Sequence, residues 1–144
     1  FEGWDNVKAE MAGFALNYMP LNEYDERLDY YTPVLIASED VIENDPQLVR
    51  SFLRAVKKGY QYAIDNPDES AEILAKYVPD YDIEFLKKSQ AFLSANYTDD
   101  KENWGVMEDV VWDNYTDFMV EYGLIDEPIA ASEQYTNEFI TDLD

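Results

Sequence analysis

The fold class is indicated by residues 32–65, which read TPVLIASEDVIENDPQLVRSFLRAVKKGYQYAID. The apolar run 32–37 is short and compact, which is typical of a buried β-strand. Asp45 and Pro46 then form a helix start signal, because a capping acid and a proline at the first helical position both favour initiation. Apolar side chains follow at near-i+4 spacing: Leu48, Phe52, Val56, Tyr60 and Ala63. The stretch therefore predicts a strand followed by an amphipathic helix of about five turns.

Caps and periodicity predict further elements on both sides of this stretch. A short helix at 7–11 precedes Gly13, and the loosely alternating residues 14–19 read as a strand. Further helices are predicted at 68–77, after a cap at Asp82, at 107–122 before Gly123 and, as a short turn or helix, at 135–143. The expected fold is α/β, helix-rich, with about three short strands.

The composition excludes several classes of site. The 144 residues contain no histidine and no cysteine, which removes imidazole and thiolate metal ligands, cysteine nucleophiles and Ser-His-Asp triads. The acidic clusters at 39–45 and 99–102 lack the glycine of a calcium loop, so neither a metal nor a cofactor is expected. A net charge of −22 argues against binding to nucleic acid or anionic membranes, because their phosphates would be repelled. No apolar run approaches the roughly 18 residues of a membrane span.

The stretch Glu2-Gly3-Trp4-Asp5 is suited to a flat ligand. The indole of Trp4 offers a stacking surface, Glu2 offers an acceptor for an exocyclic amine, and Gly3 allows close backbone approach. The alternative is that Trp4 packs in the core and that Asp5 only caps the following helix. Residue types alone leave both interpretations open.

Three other patterns each carry a structural and a functional interpretation. Tyr30 and Tyr31, just ahead of the apolar run, either line a cleft or simply pack. The long helix carries four basic residues on one side, which form either an anion- or partner-docking strip or a solvated face: Arg50, Arg54, Lys57 and Lys58. Residues 96–98 and 114–116 match the short acceptor pattern for N-linked glycans.

Five motifs follow one another along nearly the whole chain. They are Gly3-Trp4-Asp5, the run 29–36, Asn44-Asp45-Pro46 with the following 49–55, the segment 104–107, and the segment 135–139. In this order they resemble the C-terminal half of the thiamine-pyrimidine-precursor solute-binding proteins. That family comprises substrate-binding proteins of ABC importers with a type II periplasmic-binding fold, and it also includes eukaryotic enzymes that make the same pyrimidine.

The resemblance implies two lobes that close at a hinge on a 4-amino-2-methylpyrimidine. Residues 1–32 would form the end of the second lobe and the hinge crossing, and residues 33–144 the C-terminal part of the first lobe. The ligand-binding residues would be Glu2, Gly3, Trp4, Asp5, Tyr30 and Tyr31. We expect this chain to be a fragment of an extracytoplasmic protein, periplasmic or lipid-anchored at the cell surface, whose export signal lies upstream. Its partners would be the aminopyrimidine and the membrane subunit of the importer.

Three alternatives to this expectation stay open. The enzymes of the family carry a cysteine-rich cluster ahead of the buried strand, whereas residues 27–31 here read RLDYY. We therefore expect binding without catalysis, with a pyrimidine-synthase-like enzyme as the alternative. Related lobes bind taurine-, nitrate- or flavin-like solutes after a few changes in the cleft. A helical interaction module that binds no small molecule is the third possibility.

Overall fold

The computed structural model describes residues 1–141 and 143, and its regular elements are helical. A π-helical turn, Glu2–Asn6, continues directly into helix α1, Val7–Met11. Two 3₁₀ turns follow at Leu21–Glu23 and Glu26–Leu28. The remaining helices are α2 (Glu39–Asn44), α3 (Pro46–Asp65), α4 (Pro67–Ala75), α5 (Ile83–Asn96), α6 (Asp109–Glu121) and α7 (Ala131–Gln134).

The chain divides into two compact units. The first unit contains residues 1–17 and 54–104, and the second contains residues 18–53 together with the chain from residue 105 onward. Helix α3 contributes its first eight residues to the second unit and the others to the first. Each unit is therefore built from two separate segments of the chain.

The core of the first unit lies between α1, α4 and α5. Its buried members are Val7, Ala71, Phe85 and Leu86. Gly3 packs directly on α5, because its carbonyl accepts a 2.6 Å hydrogen bond from the buried Ser89 hydroxyl. A Cβ at Gly3 would lie only 2.7 Å from the ring of Phe92, so this contact requires glycine.

The second unit is organised around α6. The 3₁₀ turn Glu26–Leu28 packs against this helix. Arg27 joins the two elements, because its guanidinium pairs with Asp25 at 2.7 Å and with Glu121 at 2.5 Å and lies over the ring of Phe118. Helix α7 also packs on α6, and Gly123, with a φ of 66°, follows the end of α6 in the left-handed region.

The predicted helix caps are confirmed where the signal is local. The Asp45 carboxylate accepts from the Leu48 N–H at 3.1 Å, and α3 begins at Pro46. The Asp82 carboxylate accepts from the Phe85 N–H at 3.0 Å at the start of α5. By contrast, Asp5 caps nothing, because the helical segment already begins at Glu2.

The expected strands are not confirmed. Within residues 1–141 and 143 no β-strand occurs, and the run 32–37 is exposed rather than buried. Leu35 and Ile36 are 55 % and 93 % exposed. A strand satisfies its N–H and C=O groups through a neighbouring strand, and the described part of the chain supplies none. The prediction that the fold is rich in helices is confirmed.

The short turn or helix predicted at 135–143 is confirmed in part, because the structure has a turn within this range and no helix among its described residues. Helix α7 ends at Gln134, and Tyr135 is extended, with φ −148° and ψ 169°. A turn follows, in which the Ile140 N–H donates to the Asn137 carbonyl at 3.1 Å. Tyr135 leaves the helix where its ring stacks on Trp112, so a tertiary contact ends α7. The prediction at position 142 lies outside the described residues.

Candidate functional site

Five aromatic side chains converge in the second unit, and we call them the aromatic cluster: Tyr30, Tyr31, Trp112, Tyr115 and Tyr135. Tyr30 stacks on Tyr115 with ring centroids 4.3 Å apart and planes at 20°. Trp112 stacks on Tyr135 at 5.6 Å and 10°. Tyr31 lies 6.2 Å from Trp112 in a tilted arrangement. The cluster therefore brings both sequence-predicted tyrosines to one place, beside three rings that were not predicted as site residues.

Helix α6 and the preceding loop position these rings. Trp112 and Tyr115 are three residues apart on α6, so they share one face of that helix. Tyr30 and Tyr31 follow the 3₁₀ turn that Arg27 ties to α6. The Tyr31 hydroxyl accepts a 3.0 Å hydrogen bond from the Glu108 N–H, immediately before α6.

Tyr135 is held by both its ring and its hydroxyl. The hydroxyl donates to a carboxylate oxygen of Asp109 at 2.7 Å and lies 3.2 Å from the Met107 carbonyl. The hydrogen bond to the Asp109 carboxylate, with a smaller contribution from burial, raises the pKa of Tyr135 to about 12. The amide of Asn137 pairs with both backbone groups of Met107, at 3.0 and 2.7 Å. These bonds fix the segment that leads into α6.

A small cavity opens inside the cluster. Its volume is about 50 Å³, and its lining consists of Tyr30, Tyr31, Val111, Trp112 and Tyr115. The indole nitrogen of Trp112 is buried and has no hydrogen-bond partner among the described residues. An indole N–H can only donate, so an acceptor on a bound molecule would satisfy it. The arrangement combines aromatic rings with one buried donor that has no partner among the described residues, a combination suited to a planar heterocycle.

The stretch Glu2-Gly3-Trp4-Asp5 lies in the first unit. The Trp4 ring meets Phe85 edge-to-face at 4.5 Å and Tyr81 at 5.2 Å, and it packs against the buried core. Lys8 places its ammonium 5.1 Å from the Trp4 ring centroid, a cation–π distance. Gly3 makes its close approach to Phe92, whereas Glu2 is half-buried and Asp5 is exposed. Ligand contact by these four residues stays a prediction.

The basic strip of α3 is engaged within the protein. Arg50 donates to the Glu138 carbonyl at 2.9 Å and lies over the Phe139 ring. Lys57 donates to the Glu102 carbonyl at 3.0 Å. These contacts favour a structural role for the strip over an anion-docking role.

Two kinds of feature are absent from the described residues. Within 1–141 and 143, no group of three or more carboxylates is placed to hold a metal ion. No helix in the same range combines the length and apolar character of a transmembrane span.

A second depression lies beside α6. It has a volume of about 430 Å³ and is lined by Asp113, Thr116, Asp117, Pro128, Ile129 and Ala130. Gln134 ties its rim together, donating to the Thr116 hydroxyl at 3.0 Å and to the Ile129 carbonyl at 2.8 Å. Because these hydrogen bonds join residues of the protein to one another, we interpret the depression as a structural feature of the packing between α6 and α7.

Sequence reasoning missed three members of the aromatic cluster. The i, i+3 spacing of Trp112 and Tyr115 on a predicted helix was a usable signal, because it places two large rings on one face. No local pattern relates Tyr135 to Trp112, which lies 23 positions earlier in the sequence. That pairing arises from the tertiary fold.

Comparison with known proteins supports a relationship to small-molecule binding proteins. Residues 1–70 match the sequence model of the family described as NMT1/THI5 like. The riboflavin-binding protein RibY of Chloroflexus aurantiacus is 28 % identical over 117 residues, which cover 74 % of this chain and 32 % of that protein. The formylaminopyrimidine-binding protein of Halalkalibacterium halodurans is 23 % identical over 124 residues, which cover 83 % and 35 %.

A third relative is named as an enzyme. The 4-amino-5-hydroxymethyl-2-methylpyrimidine phosphate synthase of Legionella pneumophila is 27 % identical over 108 residues, covering 72 % of this chain and 31 % of that protein. The chain thus spans about a third of the length of the curated relatives it matches. The resemblance to the thiamine-pyrimidine-related proteins is confirmed.

Proposed function

We propose that this chain, whose residues 1–70 match the NMT1/THI5-like family model, is part of a solute-binding protein. Its aromatic cluster would contact a planar nitrogen heterocycle. One observation carries the proposal: four of the five rings line a small cavity, and the same cluster contains Trp112 Nε1, a buried donor without a partner in the described residues. A buried polar group that lacks a partner weakens the fold unless something satisfies it. A bound acceptor would supply that partner.

The ligand we propose is a thiamine pyrimidine precursor of the 4-amino-2-methylpyrimidine type. Its flat ring matches the stacking faces of Tyr30 and Trp112, and a ring nitrogen can accept from the indole N–H. The relative named for formylaminopyrimidine binding supports this class. The cavity, at about 50 Å³, exceeds the roughly 30 Å³ that one water occupies in the liquid. It would therefore receive one edge of the ring.

A flavin-type ligand is the second candidate. The relative of higher identity is named as a riboflavin-binding protein, and the aromatic rings of the cluster can stack on a fused ring system as on a single one. A carbonyl oxygen of such a ring would take the place of the pyrimidine nitrogen at Trp112 Nε1. The two candidates therefore share one chemistry, which is stacking plus one accepted hydrogen bond.

Binding without catalysis fits the residues of this chain better than the synthase alternative. These 144 residues contribute neither a histidine nor a cysteine, and the hydroxyl of Tyr135, with its raised pKa, stays protonated at neutral pH. Such a group can hold a ligand or a backbone carbonyl, but it exchanges protons poorly at that pH.

We extend the proposal to the larger architecture. Residues 1–32 would belong to the end of one lobe and the hinge crossing, and residues 33–144 to the other lobe of a type II periplasmic-binding-like protein. The exposed apolar run Val34–Ile36 supports this view, because it would become a buried strand if a neighbouring strand of a longer protein paired with it. The protein would work outside the cytoplasm with the membrane subunit of an ABC importer.

Calorimetry on the gene product that contains these residues tests the ligand class. The titrants are a 4-amino-2-methylpyrimidine, riboflavin and, as a non-aromatic control, taurine. We expect saturable heat with one of the two heterocycles and none with taurine. Binding of taurine alone would overturn the proposal, and conversion of a heterocycle into product would favour the synthase alternative.

A further inference from the structure

We propose that Asn96 accepts an N-linked glycan and that Asn114 does not, although both stand in the same tripeptide, Asn-Tyr-Thr. The inference rests on the extracytoplasmic location proposed above, because Asn-x-Thr serves as an acceptor in the surface loops of secreted proteins. The two copies share this tripeptide, and the fold places them in different surroundings.

The first copy lies where the helical backbone ends. Asn96 is the last residue of α5, its side chain is exposed, and the chain beyond it is irregular as far as α6. Its amide nitrogen donates to the Phe92 carbonyl at 2.7 Å, one helical turn earlier. Terminal helical turns open at low cost, so the amide can be presented without disturbing the interior.

The hydroxyl of the first copy belongs to the half-buried Thr98, and its hydrogen bonds are local. Thr98 exchanges two hydrogen bonds with the backbone of Asp100, at 2.8 and 3.1 Å. Both bonds close within three residues of the chain, so opening them breaks no tertiary contact. Tyr97, between the two recognised side chains, is half-buried and meets the ring of Tyr60 edge-to-face at 4.8 Å. The pattern accepts any residue except proline at that position, so Tyr97 can stay packed.

The second copy is locked inside a helix. Asn114 lies in the interior of α6, and Thr116 is only 3 % exposed. The Thr116 hydroxyl accepts from the side-chain amide of Gln134 at 3.0 Å, and Tyr115 stacks on Tyr30. Presenting this copy would require unwinding α6 and dismantling the aromatic cluster.

The chemistry is a glycosyl transfer from a lipid-linked oligosaccharide. The Asn96 amide nitrogen forms a bond to the anomeric carbon of the reducing-end sugar and loses one proton, which the released phosphate takes up. The bond between that carbon and the phosphate oxygen of the lipid carrier breaks, and the phosphorylated lipid leaves with the electron pair. No oxidation or reduction occurs.

The test is peptide mass spectrometry of the protein isolated from the extracytoplasmic and the cytoplasmic fractions of the organism that encodes it. We expect a hexose-containing mass increment on the peptide with Asn96 and an unmodified peptide with Asn114. Asn96→Gln and Thr98→Ala should each abolish the increment. Thr98→Ser, which preserves the acceptor pattern, should retain it, and Asn114→Gln should leave it unchanged.

The two fractions separate the failure of this inference from the failure of the proposed function. An unmodified Asn96 in extracytoplasmic protein would overturn the glycan and leave the solute-binding proposal intact. Protein found only in the cytoplasm would overturn both the proposed location and the glycan. An increment on Asn114 would show that the fold does not select the acceptor.

Discussion

Tyr135 combines two contacts in one side chain, because its ring stacks on Trp112 while its hydroxyl donates to Asp109. Ionisation of the hydroxyl would place a negative charge beside the Asp109 carboxylate and remove the donated hydrogen bond. The neutral form is therefore favoured in the folded state, and the raised pKa of Tyr135 expresses this preference.

This preference predicts a pH-dependent loss of stability. The folded pKa of about 12 lies above the ordinary value of 10, so the stabilisation is fully present below pH 10 and disappears as the pH rises towards 12. We expect the melting temperature of the parent protein to exceed that of Tyr135→Phe by a constant margin from about pH 8 to 10. Above that range the margin should shrink. A margin that stays constant to pH 12 would contradict the contact.

Gly3 supplies a second prediction at this scale. A Cβ there would collide with Phe92 at 2.7 Å and Leu93 at 3.1 Å, so Gly3→Ala should lower the free energy of unfolding by about 1–3 kcal/mol through overpacking. Gly59 is the matched control, because a Cβ at that position in α3 meets nothing within 4 Å. Gly59→Ala should raise the free energy of unfolding by about 0.5–1 kcal/mol. Urea unfolding of both variants tests the pair, and a neutral Gly3→Ala would argue against tight packing on α5.

At the scale of elements, local sequence signals determine where some helices begin, whereas tertiary contacts determine other boundaries. Asp45 and Asp82 were predictable as caps, because each carboxylate bonds an N–H three residues ahead. The run 32–37 was not predictable as an exposed segment, because strand formation depends on a neighbour that a local pattern does not reveal. Likewise, α7 ends at Gln134 because Tyr135 is drawn onto Trp112.

The same division explains how much of the candidate site could be predicted. Tyr30 and Tyr31 stand out in the sequence as adjacent rings ahead of an apolar run, and the fold places both beside α6. Their neighbours Trp112 and Tyr135 come from distant segments. Their pairing depends on how the second unit closes, which periodicity within one helix does not encode.

The start of α5 provides a prediction for a single element. Asp82→Ala removes the acceptor for the Phe85 N–H and should cost about 1 kcal/mol of unfolding free energy. Asp80→Ala, in the exposed turn just before α5, is the control and should change stability by less than about 0.5 kcal/mol. Chemical denaturation measures both. Equal effects from the two variants would show that lost charge, rather than the lost cap, decides the outcome.

At the scale of the whole molecule, the two units contain different candidate ligand-binding residues. The first unit holds Trp4 against a buried core, and the second holds the aromatic cluster, whose indole donor has no partner in the part of the chain that the structure describes. The formal net charge of −22 disfavours anionic solutes, which leaves a neutral or weakly basic heterocycle as the class best suited to the cluster. Stacking supplies affinity for such a ring, and the single donor supplies orientation.

The most direct test of this claim measures the dissociation constant for the preferred heterocycle in Tyr30→Ala and Tyr24→Ala, by calorimetry on the gene product that contains these residues. Both tyrosines are exposed, at 38 % and 70 %, and only Tyr30 lines the cavity. Loss of one stacking ring costs about 1–3 kcal/mol in other stacking sites. We therefore predict that Tyr30→Ala raises the dissociation constant about tenfold or more, while Tyr24→Ala leaves it unchanged. An unchanged dissociation constant in Tyr30→Ala would contradict the account.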